Sequence, residues 1–82
     1  MVDIEQCVIE AIEEIIGLPQ EELRENLDLD LKAEGLLDSV SCASLIAIVE
    51  GNLARNFDYD KIELKNFTSI NSIVKTFSNA LI

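Results

Sequence analysis

The residues best suited to chemistry in this chain are Asp38 and Ser39. They lie within residues 35–40, whose sequence is GLLDSV, and an apolar run from Cys42 to Val49 follows. Aspartate is a favourable N-cap because its carboxylate accepts backbone N–H groups of the first helical turn. We therefore predict that Asp38 caps a helix and that Ser39 is its first residue, with an exposed hydroxyl that another protein can reach.

The chain contains no histidine, and this limits what Ser39 can do alone. A serine nucleophile needs an adjacent base, and an imidazole zinc site is equally excluded. Cys7 and Cys42 are isolated, so they lack the paired spacing of a thiolate metal site. Neither has a basic neighbour in the local sequence that would activate its thiol. The sequence thus disfavours Ser39 as a self-activated nucleophile and the chain as a serine hydrolase.

Acidic residues are concentrated in the first half of the chain. Its 82 residues predict a single domain, 1–82, and its 49% hydrophobic content argues against disorder despite a net charge of −10. Residues 1–38 hold twelve acids against two bases, whereas residues 39–82 hold four of each. This acidity disfavours nucleic acid and anionic membrane surfaces as partners. It favours partners with basic faces, although the acids also serve simply to keep a small domain soluble.

The sequence shows no pattern that predicts export or membrane insertion. The N-terminus lacks the basic and apolar regions of a signal peptide. No apolar run approaches the roughly 20 residues that span a bilayer. We expect a cytoplasmic protein with two reduced cysteines, and a monomer as the simplest oligomeric state.

Apolar spacing predicts an all-α fold, beginning with two main helices. The first covers residues 3–16, with Asp3 as its N-cap and Gly17 as its C-terminal stop. The second covers residues 39–54. It is apolar on every side between residues 45 and 49, which predicts either a central buried helix or a face reserved for a partner.

The third main helix is predicted over residues 69–81, with Thr68 as its cap. A short helix is expected around residues 60–65. All four aromatic residues follow residue 56, and we expect them to close one end of the core. The predicted architecture is a small four-helix bundle with three main helices, one short helix and a long first loop.

That long first loop covers residues 17–38. Pro19 is expected at the first position of a short helical turn. Leu27, Leu29 and Leu31 alternate with polar residues, and we expect all three to pin an extended loop onto the helices. Loops of this length in small domains are often functional.

Residues 35–40, at the start of the second helix of a small acidic bundle, resemble the phosphopantetheine-attachment motif of acyl and peptidyl carrier proteins. The usual Asp-Ser-Leu is Asp38-Ser39-Val40 here. Helix order, loop and chain length also agree. Residues 26–31 (NLDLDL) and 66–74 (NFTSINSIV) are similar to D-alanyl carrier proteins, whereas SCA after the motif departs from their Gly-Thr-Val-like run. The second helix also lacks the several acids found in many fatty-acid carriers.

The resemblance implies an acyl carrier protein-like fold and a carrier rather than an enzyme. A phosphopantetheinyl transferase would attach 4′-phosphopantetheine to Ser39, with Asp38 and Val40 as motif neighbours. A helix N-terminus favours such an anionic group. The arm would carry an acyl or aminoacyl group, for example D-alanyl, as a thioester. It would take this group from an acyl- or aminoacyl-activating ligase to an acceptor acyltransferase or synthase.

Two alternatives remain open on the sequence. The protein can be a carrier of a specialised fatty-acid, polyketide or nonribosomal peptide pathway. It can also be a non-carrier helical interaction domain, in which Asp38 and Ser39 are an ordinary capping pair. Covalent modification of Ser39 distinguishes the carriers from the interaction domain.

Overall fold

A computed structural model describes residues 3–82, which form four α-helices and two short 3₁₀ turns. The helices are α1 (Ile4–Ile16), α2 (Gln20–Arg24), α3 (Ser39–Leu53) and α4 (Ile70–Ala80). The 3₁₀ turns are Tyr59–Lys61 and Leu64–Asn66. The only strand-like pairing within residues 3–82 is a single bridge between Phe57 and Leu81. The prediction of an all-α fold with three main helices is therefore confirmed.

Local signals set both ends of α1. The Asp3 carboxylate accepts the Glu5 N–H at 2.9 Å, and the Gly17 N–H donates to the Glu13 carbonyl at 2.8 Å. Gly17 has a φ of 85°, a left-handed conformation that glycine adopts at little cost. The predicted cap and stop are both observed. The buried residues of α1 are Cys7, Val8, Ile9, Ala11 and Ile12.

The core lies where α1 packs against α3 and α4. The buried residues of α3 are Cys42, Leu45 and Val49. Three buried phenylalanines form an aromatic cluster within this core. The ring of Phe77 lies 5.0 Å from that of Phe57 and 5.5 Å from that of Phe67, measured between centroids, in tilted arrangements that aromatic pairs prefer. Tyr59, the fourth aromatic residue, is 58% exposed and does not belong to this cluster. The expectation that all four aromatic residues contribute to the core is therefore wrong for Tyr59.

The cap of α4 is Ser69, not Thr68 as the sequence suggested. The Ser69 hydroxyl accepts the Ser72 N–H at 3.2 Å, and the Ser72 hydroxyl accepts the Ser69 N–H at 3.0 Å. This reciprocal capping box needs a polar side chain three residues after the cap. The Thr68 carbonyl is engaged elsewhere, because it accepts the Leu31 N–H at 2.6 Å.

The predicted short helix around residues 60–65 is also replaced, by the two 3₁₀ turns. Ile62 and Leu64 both pack against the core. The backbone of Ile62 and Glu63, between the two turns, is extended, with ψ angles of 111° and 120°, so no continuous helix forms here. The short α-helix lies instead at α2, which begins at Gln20, with Pro19 at the N-cap rather than at the first helical position.

The long first loop is attached to α4 through two of its three leucines. Leu31 is 1% exposed and Leu27 is half-buried. The carbonyl of Leu27 accepts the Asn71 N–H at 3.0 Å. These contacts hold the loop against the first turn of α4.

Leu29 is 37% exposed, so the expectation that it pins the loop is wrong. The segment is not extended at this point, because the Leu29 N–H donates to the Asn26 carbonyl in a turn. Alternation of leucines therefore does not place all three side chains on the core side.

Leu31→Ala and Leu29→Ala test this assignment as a matched pair. We expect Leu31→Ala to reduce the free energy of unfolding by about 2–5 kcal/mol, because it leaves a cavity in the core. Leu29→Ala should cost less than about 1 kcal/mol, because its side chain is exposed. Urea denaturation followed by circular dichroism measures both. Equal losses in the two variants would contradict the observed burial.

Candidate functional site

The start of α3 presents Ser39 as the sequence predicts. The Asp38 carboxylate accepts the Ser41 N–H at 2.8 Å, and the Asp38 carbonyl accepts the Cys42 N–H at 2.9 Å. Asp38 is thus the N-cap, and Ser39 is the first helical residue. Asp38 and Ser39 are both exposed. The site offers an alcohol at a helix end, open to a large partner.

The segment before Asp38 is held in place by one buried side chain and by two backbone hydrogen bonds. Leu37 is 4% exposed and enters the core. The N–H groups of Leu36 and Leu37 both donate to the Leu31 carbonyl, at 2.8 and 3.2 Å. Gly35 has a φ of 75°, which allows the chain to reverse before the helix begins. Ser39 is therefore carried by a turn anchored in the core.

Two large apolar residues close to Ser39 in the sequence are exposed. Val40 is 75% exposed and Leu36 is 37% exposed. Exposed apolar side chains at these positions can offer apolar contact to a partner protein. The three residues singled out from the sequence, Asp38, Ser39 and Val40, are all exposed at the start of α3, and Leu36 is exposed in the turn before it.

The carboxylate of Asp38 is kept charged by its capping role. Hydrogen bonds from the backbone N–H of Ser41, and then from the Ser41 side chain, lower the pKa of Asp38 below its ordinary value. A charged carboxylate is a better acceptor for the free N–H groups of a helix start. A lowered pKa also makes a carboxylate a weaker general base.

The two thiols are buried and are not part of the exposed site. Cys42 lies one turn inside α3, and burial is the main cause that raises its pKa. Burial also raises the pKa of Cys7, with a smaller contribution from Glu10. Thiols with raised pKa values are poor nucleophiles, which agrees with the prediction from sequence.

The sequence left open whether α3 is buried on all sides or keeps one face exposed for a partner. Leu45 and Val49 are buried, whereas Ala43, Ser44 and Ala47 are exposed. The helix therefore packs on one side only. Its opposite side carries no charged residue between residues 39 and 49, so it is an uncharged surface that continues from Ser39.

The sequence analysis also missed a hydrogen bond between the last turn of α3 and the first 3₁₀ turn. The Tyr59 hydroxyl donates to a Glu50 carboxylate oxygen at 2.5 Å. This hydrogen bond raises the pKa of Tyr59. Both residues were visible in the sequence, but no local pattern pairs two side chains nine residues apart across a loop.

Comparison with known proteins identifies no relative: no family model matches the chain, and no curated protein matches it. The geometry of the site is therefore the basis for a functional proposal. None of the helices formed by residues 3–82 has the length and apolar character needed to cross a membrane.

Substitution of Asp38 tests the charged cap. Because hydrogen bonds in the folded state lower its pKa, Asp38 stabilises the fold above the ordinary carboxyl pKa, and this contribution is lost as the pH falls through the lowered value. We expect Asp38→Ala to reduce the urea midpoint at pH 7. Asp38→Asn should reduce it less, because asparagine keeps the capping oxygen.

The pH dependence separates the charge from the cap. Below the folded pKa of Asp38, the wild-type protein and Asp38→Asn should have converging urea midpoints, since both caps are then neutral. A midpoint difference that stays the same at neutral and acidic pH would show that the charge of Asp38 contributes nothing.

Proposed function

We propose that this protein is a stand-alone carrier of acyl or aminoacyl groups that is modified on Ser39 with 4′-phosphopantetheine. One observation supports this above all: Ser39 is an exposed hydroxyl at the first position of a 15-residue helix. It follows a turn anchored in the core. The chain has no histidine that would make this serine a self-activated nucleophile. Such a hydroxyl suits modification by another enzyme.

The surroundings of Ser39 are compatible with a phosphodiester. The N-terminus of α3 carries a partial positive charge, which favours an anionic group there. Asp38 shares this helix end, but its carboxylate is directed to the Ser41 N–H. Because both side chains are exposed, solvent and salt screen the repulsion between the two negative charges.

In this proposal the chain positions a group and performs no catalytic step. When bound, phosphopantetheine supplies a terminal thiol that holds the cargo as a thioester. Asp38 caps the start of α3. The turn that precedes it is held by the buried side chain of Leu37 and by hydrogen bonds to the Leu31 carbonyl. A base of the transferase would remove the proton of the Ser39 hydroxyl, because the Asp38 carboxylate already accepts the Ser41 N–H.

The charge distribution indicates how partner enzymes would meet the carrier. Val40 and Leu36 offer apolar contact beside Ser39, and the adjoining face of α3 is uncharged. Docking there should depend less on salt than docking on an acidic helix would. The acids of α1 and α2 precede α3 in the sequence. They favour partner enzymes that have basic surfaces.

The partners follow from the chemistry of a carrier. They are a phosphopantetheinyl transferase, an acyl- or aminoacyl-activating ligase and an acceptor acyltransferase or synthase. D-alanyl transfer is one candidate pathway; a specialised fatty-acid, polyketide or nonribosomal peptide pathway is the other. The proposal includes a monomer, as the simplest oligomeric state, and a cytoplasmic location, where free thiols such as Cys7 and Cys42 are usual.

Intact mass spectrometry tests the proposal directly. The protein is incubated with a promiscuous phosphopantetheinyl transferase, coenzyme A and Mg²⁺. We expect a mass gain of one phosphopantetheine unit in the wild type and in Ser44→Ala, and none in Ser39→Ala. Ser44 is a matched control, because it is another exposed serine of the same helix.

The absence of modification would also be informative. If the folded protein gains no mass while a known carrier is modified in the same tube, the carrier proposal fails. The uncovered face of α3 then favours a helical interaction domain, in which Asp38 and Ser39 only begin a helix.

Val40→Ser tests whether partners contact the residue beside Ser39. Val40 is 75% exposed, so its replacement should leave the unfolding midpoint nearly unchanged. We expect the rate of modification of Ser39 to fall several-fold, because an apolar contact with the transferase is lost. Ile82→Ser is the control, since Ile82 is 74% exposed and its N–H pairs with Asn56, beyond the opposite end of α3. Equal rates in both variants would contradict a contact at Val40.

A further inference from the structure

A polar groove lies between α4 and the second 3₁₀ turn, and it shares no lining residue with the Ser39 site. Its volume is about 400 Å³. One wall is formed by Lys65, Asn66 and Thr68. The other is formed by side chains spaced along one face of α4, namely Ser72, Lys75, Thr76 and Asn79.

The groove contrasts in charge with the rest of the chain. The protein has 16 acidic and six basic residues, yet the groove is lined by two lysines and no carboxylate. Lys65 forms an ion pair with Glu63, whose carboxylate lies 3.0 Å from the Lys65 ammonium. Both of these side chains are largely exposed, so their ion pair is weak and a bound anion can displace it.

Hydrogen bonds join the two walls before any ligand arrives. The Ser72 hydroxyl lies 2.8 Å from the Asn66 carbonyl oxygen and 3.0 Å from the Thr68 hydroxyl. The Thr76 hydroxyl donates to the Ser72 carbonyl at 2.8 Å. These hydroxyls hold the shape of the groove, whereas Lys75 and Asn79 are exposed and present donors to its opening.

We infer that this groove binds the phosphate group of a small molecule. Lysine binds phosphate as a point charge, whereas planar carboxylates are matched best by arginine, which the groove lacks. A phosphate carries close to two negative charges at neutral pH, which two ammonium groups can balance. The volume is in the lower range of small-molecule sites, and it leaves room for an organic part beyond the phosphate.

Titration of the ¹⁵N-labelled full chain tests the inference. Inorganic phosphate and pyrophosphate are the probes, with sodium acetate as the carboxylate arm and sodium chloride used to keep the ionic strength constant. We expect saturable shifts of the Lys75 and Asn79 amide signals in the millimolar range with both phosphates, tighter with pyrophosphate. Acetate should give no saturation at these residues.

Lysine substitutions locate the site. Lys65→Met and Lys75→Met should each weaken phosphate binding at least fivefold, whereas Lys61→Met should leave it unchanged. Lys61 is exposed in the first 3₁₀ turn and does not line the groove. All three lysines are exposed, so thermal unfolding should be similar in the variants.

Three results would overturn the inference. Phosphate shifts that never saturate would show only general screening by salt. Equal effects of Lys61→Met and Lys75→Met would show attraction by overall charge rather than by the groove. Acetate binding as tight as phosphate binding would show a carboxylate site, which is the chemistry expected for docking of an acidic protein segment. None of these outcomes depends on whether Ser39 is modified.

Discussion

The position of the candidate site depends on the backbone of one buried residue, Leu31. Its N–H donates to the Thr68 carbonyl just before α4, and its carbonyl accepts the N–H groups of Leu36 and Leu37 just before α3. Its side chain is 1% exposed. Buried backbone groups need partners because an unpaired one costs the energy of its lost hydration. Satisfying both groups of Leu31 therefore joins the long loop, the start of α4 and the start of α3.

The consequence is that the core fixes the position of Ser39, the first residue of α3, although a long loop precedes it. Long loops are usually the mobile parts of small domains, yet the turn that carries Ser39 is held by Leu37 in the core and by two hydrogen bonds to Leu31. For the proposed carrier function a fixed position of Ser39 is useful, because each partner enzyme would then meet the same geometry.

The distribution of charge separates the surface into regions with different recognition properties. The acids lie mainly before residue 39, the outward face of α3 is uncharged, and Lys65 and Lys75 line the groove beside α4. In a small domain the charged regions lie close to one another. Screening by salt therefore determines how strongly each region attracts or repels a charged partner that is not yet in contact. Contact surfaces that differ in charge allow one small protein to bind chemically different partners.

The sequence by itself determined the main helices and the place of Ser39, because the signals involved are local. Asp3, Gly17 and Asp38 act on backbone groups within four residues, and apolar spacing identifies the buried side of α1. The tertiary structure decided which leucines of the long loop are buried and that residues 60–65 form 3₁₀ turns. Ser69 and Ser72 form a capping box within the local sequence, and the tertiary structure adds there the hydrogen bond from the Leu31 N–H to the Thr68 carbonyl. The tertiary structure also decided that lysines ten residues apart line one groove. The burial of the leucines and the lining of the groove depend on contacts between residues distant in the chain, which no local pattern of side chains can specify.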